Sequence, residues 1–324
     1  MPGAIVSRIR NALYDRGLLQ VTRPRAFVIS IGNITWGGTG KTSLAAQLAV
    51  LLQDRGYRVA ILSRGYGRRS RGVVVVSDGE SVRCGWEEAG DEPFWLAQTA
   101  PRVMVVVANR RVEALQELDA FHPDVILLDD GFQHRRIARD VDLVLIDASE
   151  NLLRQRILPF GKLREPVDSL MRATAIVLTH ASKGHPSTMK WIASHIRIPV
   201  FHADYVPARS DLAGRKLAAF CALGSPQHFF GMLQEAGATL VFQQEFRDHH
   251  VYTGPDLASL NARAQQAGAE ALVTTAKDAI KIPAGAFRLP LCVVGASLKV
   301  EEEDQLRRFV FDRLPEPGAV AKKS

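Results

Sequence analysis

Short apolar runs alternate with longer segments rich in Ala and Leu through most of the chain. Each run consists of aliphatic, mostly β-branched residues, which is typical of a buried parallel strand. The longer segments have the composition of helices. This alternation predicts an α/β fold with a doubly wound, mostly parallel sheet. The predicted strands are Phe27–Ile31, Val59–Leu62, Val103–Val107, Val125–Leu128, Leu143–Ile146 and Ala175–Leu178.

A second, shorter α/β series follows an irregular stretch at residues 199–207. Its predicted strands begin at Lys216, Leu240, Ala271 and Leu291, and an amphipathic helix closes the series at residues 301–314. We therefore predict two domains, with a boundary good to a few residues. The predicted organisation is a surface helix in 1–20, a phosphate-loop domain in 21–208, a smaller α/β domain in 209–314 and a tail in 315–324.

The first predicted strand leads into a glycine-rich loop that is followed by Lys41, Thr42 and a helix. Glycines let backbone N–H groups approach a polyphosphate, and the helix N-terminus adds free N–H groups. The order of strand, loop, Gly-Lys-Thr and helix predicts a phosphate-binding loop, although Thr35 stands where the strict pattern has Gly. The alternative is a plain glycine-rich turn. The predicted nucleotide-binding residues are Thr35, Gly37, Gly38, Thr39, Gly40, Lys41 and Thr42, with Lys41 serving the β- and γ-phosphates.

Two adjacent aspartates, Asp129 and Asp130, end a predicted buried strand about 80 residues beyond the phosphate loop. A carboxylate in this position can hold Mg²⁺ opposite the loop, together with the Thr42 hydroxyl. The alternative is a turn or helix cap, since Asp is common at strand ends.

Two further loops carry candidate substrate-binding residues. Arg64 and Tyr66 follow the second predicted strand, and the carboxyl end of a strand is where open α/β sheets bind ligands. Gln133 and Arg135 follow the aspartate pair and supply hydrogen-bond donors beside it. A basic loop is also compatible with simple solvation.

The composition is that of a globular protein, with 47% hydrophobic residues and a formal net charge of +7. The positive charge favours an anionic partner such as a nucleotide or a phospholipid surface. No basic stripe interleaved with aromatic residues is present, which argues against a nucleic-acid module. No run reaches the roughly 18 apolar residues that span a bilayer, and no signal peptide is visible. The three cysteines are scattered and predict neither a disulfide framework nor a zinc site.

Residues 3–16 predict a short amphipathic helix with Ile5, Val6, Ile9, Ala12 and Leu13 on one arc. Arg8 and Arg10 flank this arc, and Arg23 and Arg25 follow the predicted helix. Such a helix can lie in a membrane interface, or its apolar arc can pack on the body of the protein. In the first case, we expect peripheral, salt-sensitive binding to an anionic leaflet.

Seven segments together resemble the tetraacyldisaccharide 4′-kinase family of lipid A biosynthesis, over most of the chain. The pairing of SRGYGR with DDGFQHR is the most specific feature, and Thr35 is normal in that family. The segments are GNITWGGTGKT (32–42), SRGYGR (63–68), GDEP (90–93), ILLDDGFQHR (126–135), LPFGKLREP (158–166), DHH (248–250) and TAKDAIKI (275–282).

The resemblance implies an ATP- and Mg²⁺-dependent kinase that phosphorylates the 4′-hydroxyl of an acylated glucosamine disaccharide 1-phosphate. It implies peripheral attachment to the cytoplasmic face of the bacterial inner membrane and two α/β/α domains joined by two strands. It further implies that Asp91 and His249 form the pair that activates the acceptor hydroxyl. By the same resemblance, Glu165 joins Asp129 and Asp130 around the metal.

Three departures from the family pattern stand out. Ser43 replaces a usual Pro, Ala276 replaces a usual Glu, and the N-terminal helix is less apolar than in many members. The last departure predicts looser membrane attachment. A rival hypothesis is a GTPase-like switch or metallochaperone, but the Asn-Lys-x-Asp motif expected for guanine recognition is missing from the sequence.

Overall fold

The computed structural model describes residues 2–209 and 211–319, with side chains from Ile5 onward. Residues 320–324 of the predicted tail lie outside the described residues. The chain divides into two compact units, which are the described parts of Met1–Asp204 with Leu298–Ser324, and Tyr205–Ser297.

The first unit is built on a nine-stranded sheet with the order β13-β8-β7-β6-β1-β5-β2-β4-β3. Neighbouring strands from β7 to β4 pair in parallel, and β3 pairs antiparallel with β4 at one edge. The strands are β1 Phe27–Asn33, β2 Val59–Ser63, β3 Val73–Asp78, β4 Met104–Ala108, β5 Val125–Asp129, β6 Val141–Asp147, β7 Ala175–Thr179, β8 Val200–Pro207 and β13 Ala296–Val300.

Helices cover both faces of this sheet. Alternation along β1 points Val28 to one face, where α5 and α6 complete two apolar clusters. Ile29 and Ile31 point to the other face and are fully buried, and α2 packs against their strand. The helices are α1 Pro2–Asp15, α2 Lys41–Asp54, α3 Trp86–Ala89, α4 Asp91–Thr99, α5 Leu115–Phe121, α6 Pro186–His195 and α10 Glu303–Phe311, with 3-10 turns at 111–114, 152–154, 167–172 and 181–183.

The second unit is a smaller parallel sheet with the order β10-β9-β11-β12. Separate apolar clusters on its two faces are completed by α7 and α8. The elements are β9 Lys216–Cys221, α7 Pro226–Glu235, β10 Thr239–Glu245, α8 Gly254–Gln266, β11 Ala271–Thr275, α9 Ala276–Ala279 and β12 Leu291–Val294. The predicted α/β architecture with a doubly wound, mostly parallel sheet is confirmed.

The unit boundaries differ from the predicted ones. The chain leaves the first unit after Asp204 and returns to it at Leu298, so α10 belongs to the first unit and not to the second. Strand β13 joins the large sheet beside β8, and Phe309 of α10 lies 5.9 Å from Phe201 of β8 between ring centroids. Amphipathicity predicts the helix from sequence, but it does not say which core receives its apolar side.

Helix α1 is attached to the first unit through its polar side. Asn11 is buried and donates to Glu165, and Arg135 donates to the Asn11 carbonyl group and to Asp15. Three residues of the predicted apolar arc face solvent instead, with exposed fractions of 56% for Ile5, 64% for Val6 and 56% for Ile9. The arc therefore does not pack on the body of the protein at these positions. No helix in the described part of the chain is long and apolar enough to cross a membrane.

Candidate active site

The loop between β1 and α2 has the backbone of a phosphate cradle. Gly40 immediately precedes α2 with φ +87°, and Gly37 has φ +130°, conformations that favour glycine. An added Cβ at Gly37 or Gly38 would meet nothing within 4 Å, so space above the loop is open. Thr39 accepts a hydrogen bond from Asn33 at 2.9 Å, which fixes the loop to the end of β1. The predicted loop therefore leaves room for a polyphosphate beside the N-terminus of α2.

Asp130 is the centre of a cluster of positive charge beside this loop. One guanidinium nitrogen of Arg164 lies 2.8 Å from both carboxylate oxygens, and Nζ of Lys41 lies 3.6 Å from one of them. Burial opposes ionisation of this carboxyl group, but Lys41, Arg164 and Arg111 outweigh it and hold its pKa at about 2. Asp130 is thus an ion-pair partner in this arrangement, which differs from its predicted role as a metal ligand.

The pKa of Asp129, the adjacent residue, is shifted in the opposite direction. Asp129 ends β5, is 1% exposed, and accepts a hydrogen bond from Ser63 on one oxygen at 2.9 Å. Its other oxygen, Oδ1, has no hydrogen-bond partner among the described residues. Burial, with repulsion from Glu92 and Asp130, raises its pKa to about 6. A buried carboxylate with an oxygen that lacks a hydrogen-bond partner is suited to bind a cation.

Arg111 and Gln133 fix the backbone around the aspartate pair. Arg111 is 3% exposed and donates to the carbonyl oxygen of Asp130 at 2.9 Å. Burial lowers the pKa of Arg111, and the two aspartates oppose that change. Gln133 donates to the carbonyl oxygen of Asn33 at 2.8 Å, so it connects this loop to the end of β1.

The loop after β2 reaches the phosphate loop through its aromatic residue. The ring of Tyr66 lies 6.1 Å from that of Trp36, edge to face. Arg64 is exposed at the end of β2. Asp91 is buried and begins α4, directly after Gly90, where an added Cβ would lie 3.0 Å from the Tyr66 carbonyl oxygen. The structure therefore brings the loops of Tyr66 and Asp91 together.

Glu165 and Arg135 point to α1. Glu165 is fully buried, and its oxygens accept hydrogen bonds from Arg172 and Asn11. Burial opposes its ionisation, but Arg172 and the other donors outweigh it and lower its pKa. Because both oxygens are engaged, this arrangement differs from the metal role predicted for Glu165. Likewise, Arg135 binds α1 through Asp15, although the sequence suggests it as a substrate-binding residue.

His249 lies in the second unit and Asp91 in the first. His249 follows β10 with φ +61°, and its Nε2 is 3.9 Å from the carboxylate of Asp248. The neighbouring His250 has a structural role, since its Nε2 lies 3.0 Å from Asp256 and its ring stacks on Phe246 at 4.7 Å. The acid–base pairing of Asp91 with His249 stays a prediction.

A family described as Tetraacyldisaccharide-1-P 4'-kinase matches residues 3–315. The chain belongs to this family.

Individual relatives agree with the assignment to the tetraacyldisaccharide-1-P 4'-kinase family. The Tetraacyldisaccharide 4'-kinase of Geobacter metallireducens is 40% identical over 296 residues, which cover 87% of this chain and 86% of the relative. The Tetraacyldisaccharide 4'-kinase of Syntrophus aciditrophicus is 35% identical over 332 residues, which cover 94% of this chain and 89% of the relative. Among solved structures, the "apo" form of LpxK from Aquifex aeolicus in complex with ATP is 32% identical, with a TM-score of 0.77 over 97% of this chain and 96% of that chain. The predicted family is confirmed.

Four residues of the site in this family member are absent from the sequence-based prediction, namely Ser63, Glu92, Arg111 and Arg164. Glu92 and Arg164 adjoin predicted residues, so attention to motif neighbours could have found them. Ser63 directly follows a predicted strand at the ligand-binding edge, which is a weaker signal. Arg111 has no local signal, because its role depends on burial beside the backbone of Asp130.

The opposite pKa shifts of the two aspartates predict that substitutions at these residues change the stability of the fold in opposite directions. Raising the carboxyl pKa of Asp129 from 3.8 to about 6 makes its ionisation cost on the order of 3 kcal/mol. That cost is absent below pH about 4 and complete above pH about 6. The lowered pKa of Asp130 instead stabilises the fold above pH about 4, and this contribution is lost as the pH falls through about 2. In metal-free buffer at pH 7.5, Asp129→Asn should therefore raise the melting temperature and Asp130→Asn should lower it.

The pH dependence of the melting temperature provides the control. The gain in Asp129→Asn should shrink as the pH is lowered towards 4, where the wild-type carboxyl group is protonated. Changes of the same sign in both variants at pH 7.5 would contradict the electrostatic assignment.

Proposed function

We propose that the protein transfers the γ-phosphoryl group of ATP to the 4′-hydroxyl of tetraacyldisaccharide 1-phosphate, giving lipid IVA for lipopolysaccharide biosynthesis. Membership of the kinase family supports the reaction class. The observation that carries the proposal is the Lys41–Asp130–Arg164 cluster beside an open glycine loop. Phosphoryl transfer depends mainly on positioning and on positive charge at the phosphate oxygens, and these residues supply both.

Each component of the cluster has a role in the proposed transfer. The loop N–H groups and the first turn of α2 hold the phosphates, and Lys41 neutralises charge at the β- and γ-phosphates. Asp130, which is itself held by Arg164, keeps Lys41 beside the loop. As the acceptor oxygen bonds to the γ-phosphorus, the bond to the β-phosphate oxygen breaks, the acceptor loses its proton and ADP leaves. From the family resemblance, we assign the acceptance of this proton to Asp91 and His249.

The residues around Asp129 fit a Mg²⁺ ion. The buried Oδ1 of Asp129 has no hydrogen-bond partner among the described residues and is an oxygen ligand of the kind that Mg²⁺ prefers. Thr42 is buried at the start of α2 and carries a hydroxyl group. We propose these two residues as its protein ligands. When bound, the ion would neutralise charge on the β- and γ-phosphate oxygens. We leave Asp130 and Glu165 out of this set because their oxygens are engaged by arginines.

Lys41→Ala should abolish phosphoryl transfer and leave the fold intact, because Arg164 still pairs with Asp130 when Lys41 is removed. Transfer from γ-³²P-labelled ATP to a tetraacyldisaccharide 1-phosphate acceptor in detergent micelles measures the activity directly. Circular dichroism and the melting temperature provide the folding control. Near-wild-type transfer by Lys41→Ala would contradict the phosphate-loop assignment. Hydrolysis of ATP by the wild type without any transfer would favour a nucleotide-driven switch instead.

We further propose peripheral attachment to the cytoplasmic face of the bacterial inner membrane through α1. The support is the outward apolar surface of Ile5, Val6 and Ile9, which suits insertion into a lipid interface. Electrostatic attraction should be weaker than the sequence alone predicts. In the structure, three of the N-terminal arginines form ion pairs with carboxylates of the protein: Arg8 with Asp168, Arg10 with Glu165 and Arg23 with Asp140.

The exposed face of α1 gives a sharper test than removal of the helix, which would also remove the hydrogen bond from Asn11 to the buried Glu165. Ile5→Ser combined with Ile9→Ser should weaken binding to vesicles of phosphatidylethanolamine and phosphatidylglycerol about tenfold or more, because apolar side chains lose their burial in the bilayer. Co-sedimentation at low and high salt measures the effect. Val82→Ser, at an exposed residue on another part of the first unit, is the matched control. Equal binding by the double variant and the wild type would contradict attachment through α1.

A further inference from the structure

Trp36 lies within the phosphate loop with about half of its surface open to solvent. The backbone N–H of Trp36 donates to the carbonyl oxygen of Lys162 at 2.6 Å, which fixes the backbone that carries the ring. The guanidinium of Arg164 stands over the ring at 5.1 Å from its centroid, and Tyr66 contacts it edge to face. The indole is therefore held in place by its neighbours, although much of it is exposed. An exposed aromatic ring that is held in this way is suited to contact a ligand.

The position of the ring relates it to the phosphoryl group that is transferred. Arg164, which contacts the ring, also binds Asp130, and Asp130 binds Lys41. Since Lys41 serves the β- and γ-phosphates, the ring is near the γ-phosphate end of the nucleotide. The base of the nucleotide is at the other end of the triphosphate. The molecule that approaches the γ-phosphate end is the phosphoryl acceptor.

We propose that Trp36, supported by Tyr66, forms a stacking surface for the pyranose ring that carries the acceptor hydroxyl. This inference rests on the proposed kinase function. One face of a pyranose presents C–H groups, whose slightly positive hydrogens fit the negative face of an indole, here the face that Arg164 does not cover. The hydroxyl groups point outward from the edge of the sugar, so stacking leaves the reacting hydroxyl free. The flat indole also sets the plane of the sugar relative to the γ-phosphate.

The stacking contact should affect acceptor binding more than the chemical step. It is made before and during transfer, so its loss should raise the KM for the acceptor more than it lowers kcat. The KM for ATP should change little, because the nucleotide is held by the loop and by Lys41. A purely structural role, through support of Arg164, would instead alter the KM for ATP and kcat together.

Three substitutions at one position separate the possible contacts. Trp36→Phe keeps an aromatic face, Trp36→Leu keeps apolar area without such a face, and Trp36→Ala removes both. We expect the acceptor KM to rise about tenfold for the Leu and Ala variants and to stay near the wild-type value for the Phe variant. The KM for ATP should stay within about twofold in all three. The assay uses tetraacyldisaccharide 1-phosphate in nonionic detergent micelles, and melting temperatures verify folding.

Two results would overturn the proposal. Equal acceptor KM values for the Leu and Phe variants would indicate an apolar contact with acyl chains or no contact, and would exclude sugar stacking. Parallel loss of kcat and ATP affinity, with an unchanged acceptor KM, would assign Trp36 to the support of Arg164. Failure of the proposed function gives a different result, since the wild type itself would then show no transfer. The comparison of Phe with Leu remains decisive even if the Ala variant does not fold.

Discussion

The ion pairs of Asp130 are the constraint on which the rest of the site depends. Arg164 and Lys41 share this carboxylate and so tie the loop after β5 to the phosphate loop and to the segment that contacts α1. Asp129 beside it differs, because its burial, with repulsion from Glu92 and from Asp130 itself, raises its pKa. Two adjacent aspartates thus have pKa values shifted in opposite directions. Asp130 binds cationic side chains of the protein, and Asp129 has an oxygen without a hydrogen-bond partner among the described residues.

The same network reaches the N-terminal helix. Arg164 is followed by Glu165, which is buried against Arg172 and Asn11 of α1. Polar contacts therefore hold the helix to the first unit, and its apolar residues Ile5, Val6 and Ile9 remain on the outside. This arrangement reverses the usual orientation of an amphipathic surface helix. It places the outward apolar surface on a helix that is bonded directly to the segment bearing Arg164.

The sequence predicts much of the fold because β-branched runs and the strand–loop–helix pattern are local signals. It also predicts the positions of Lys41, Thr42, Asp129 and Asp130, since loops at the carboxyl ends of parallel strands meet at one edge. It does not predict the partner of each carboxylate. Asp130 and Glu165 read as metal ligands in the sequence, but both are paired with arginines in the fold. Periodicity likewise predicts α10 without assigning it to a unit, because that depends on strand β13 joining the large sheet.

The divergence of the two aspartates is the central claim, and titration of their carboxyl groups tests it most directly. In ¹³C NMR of aspartate-labelled protein without metal, resonances are assigned by their loss in Asp129→Asn and Asp130→Asn. The structure predicts that Asp129 titrates at about pH 6 and that Asp130 stays ionised down to about pH 2. Two carboxyl groups that both titrate near pH 4, the range of unperturbed aspartates, would contradict it.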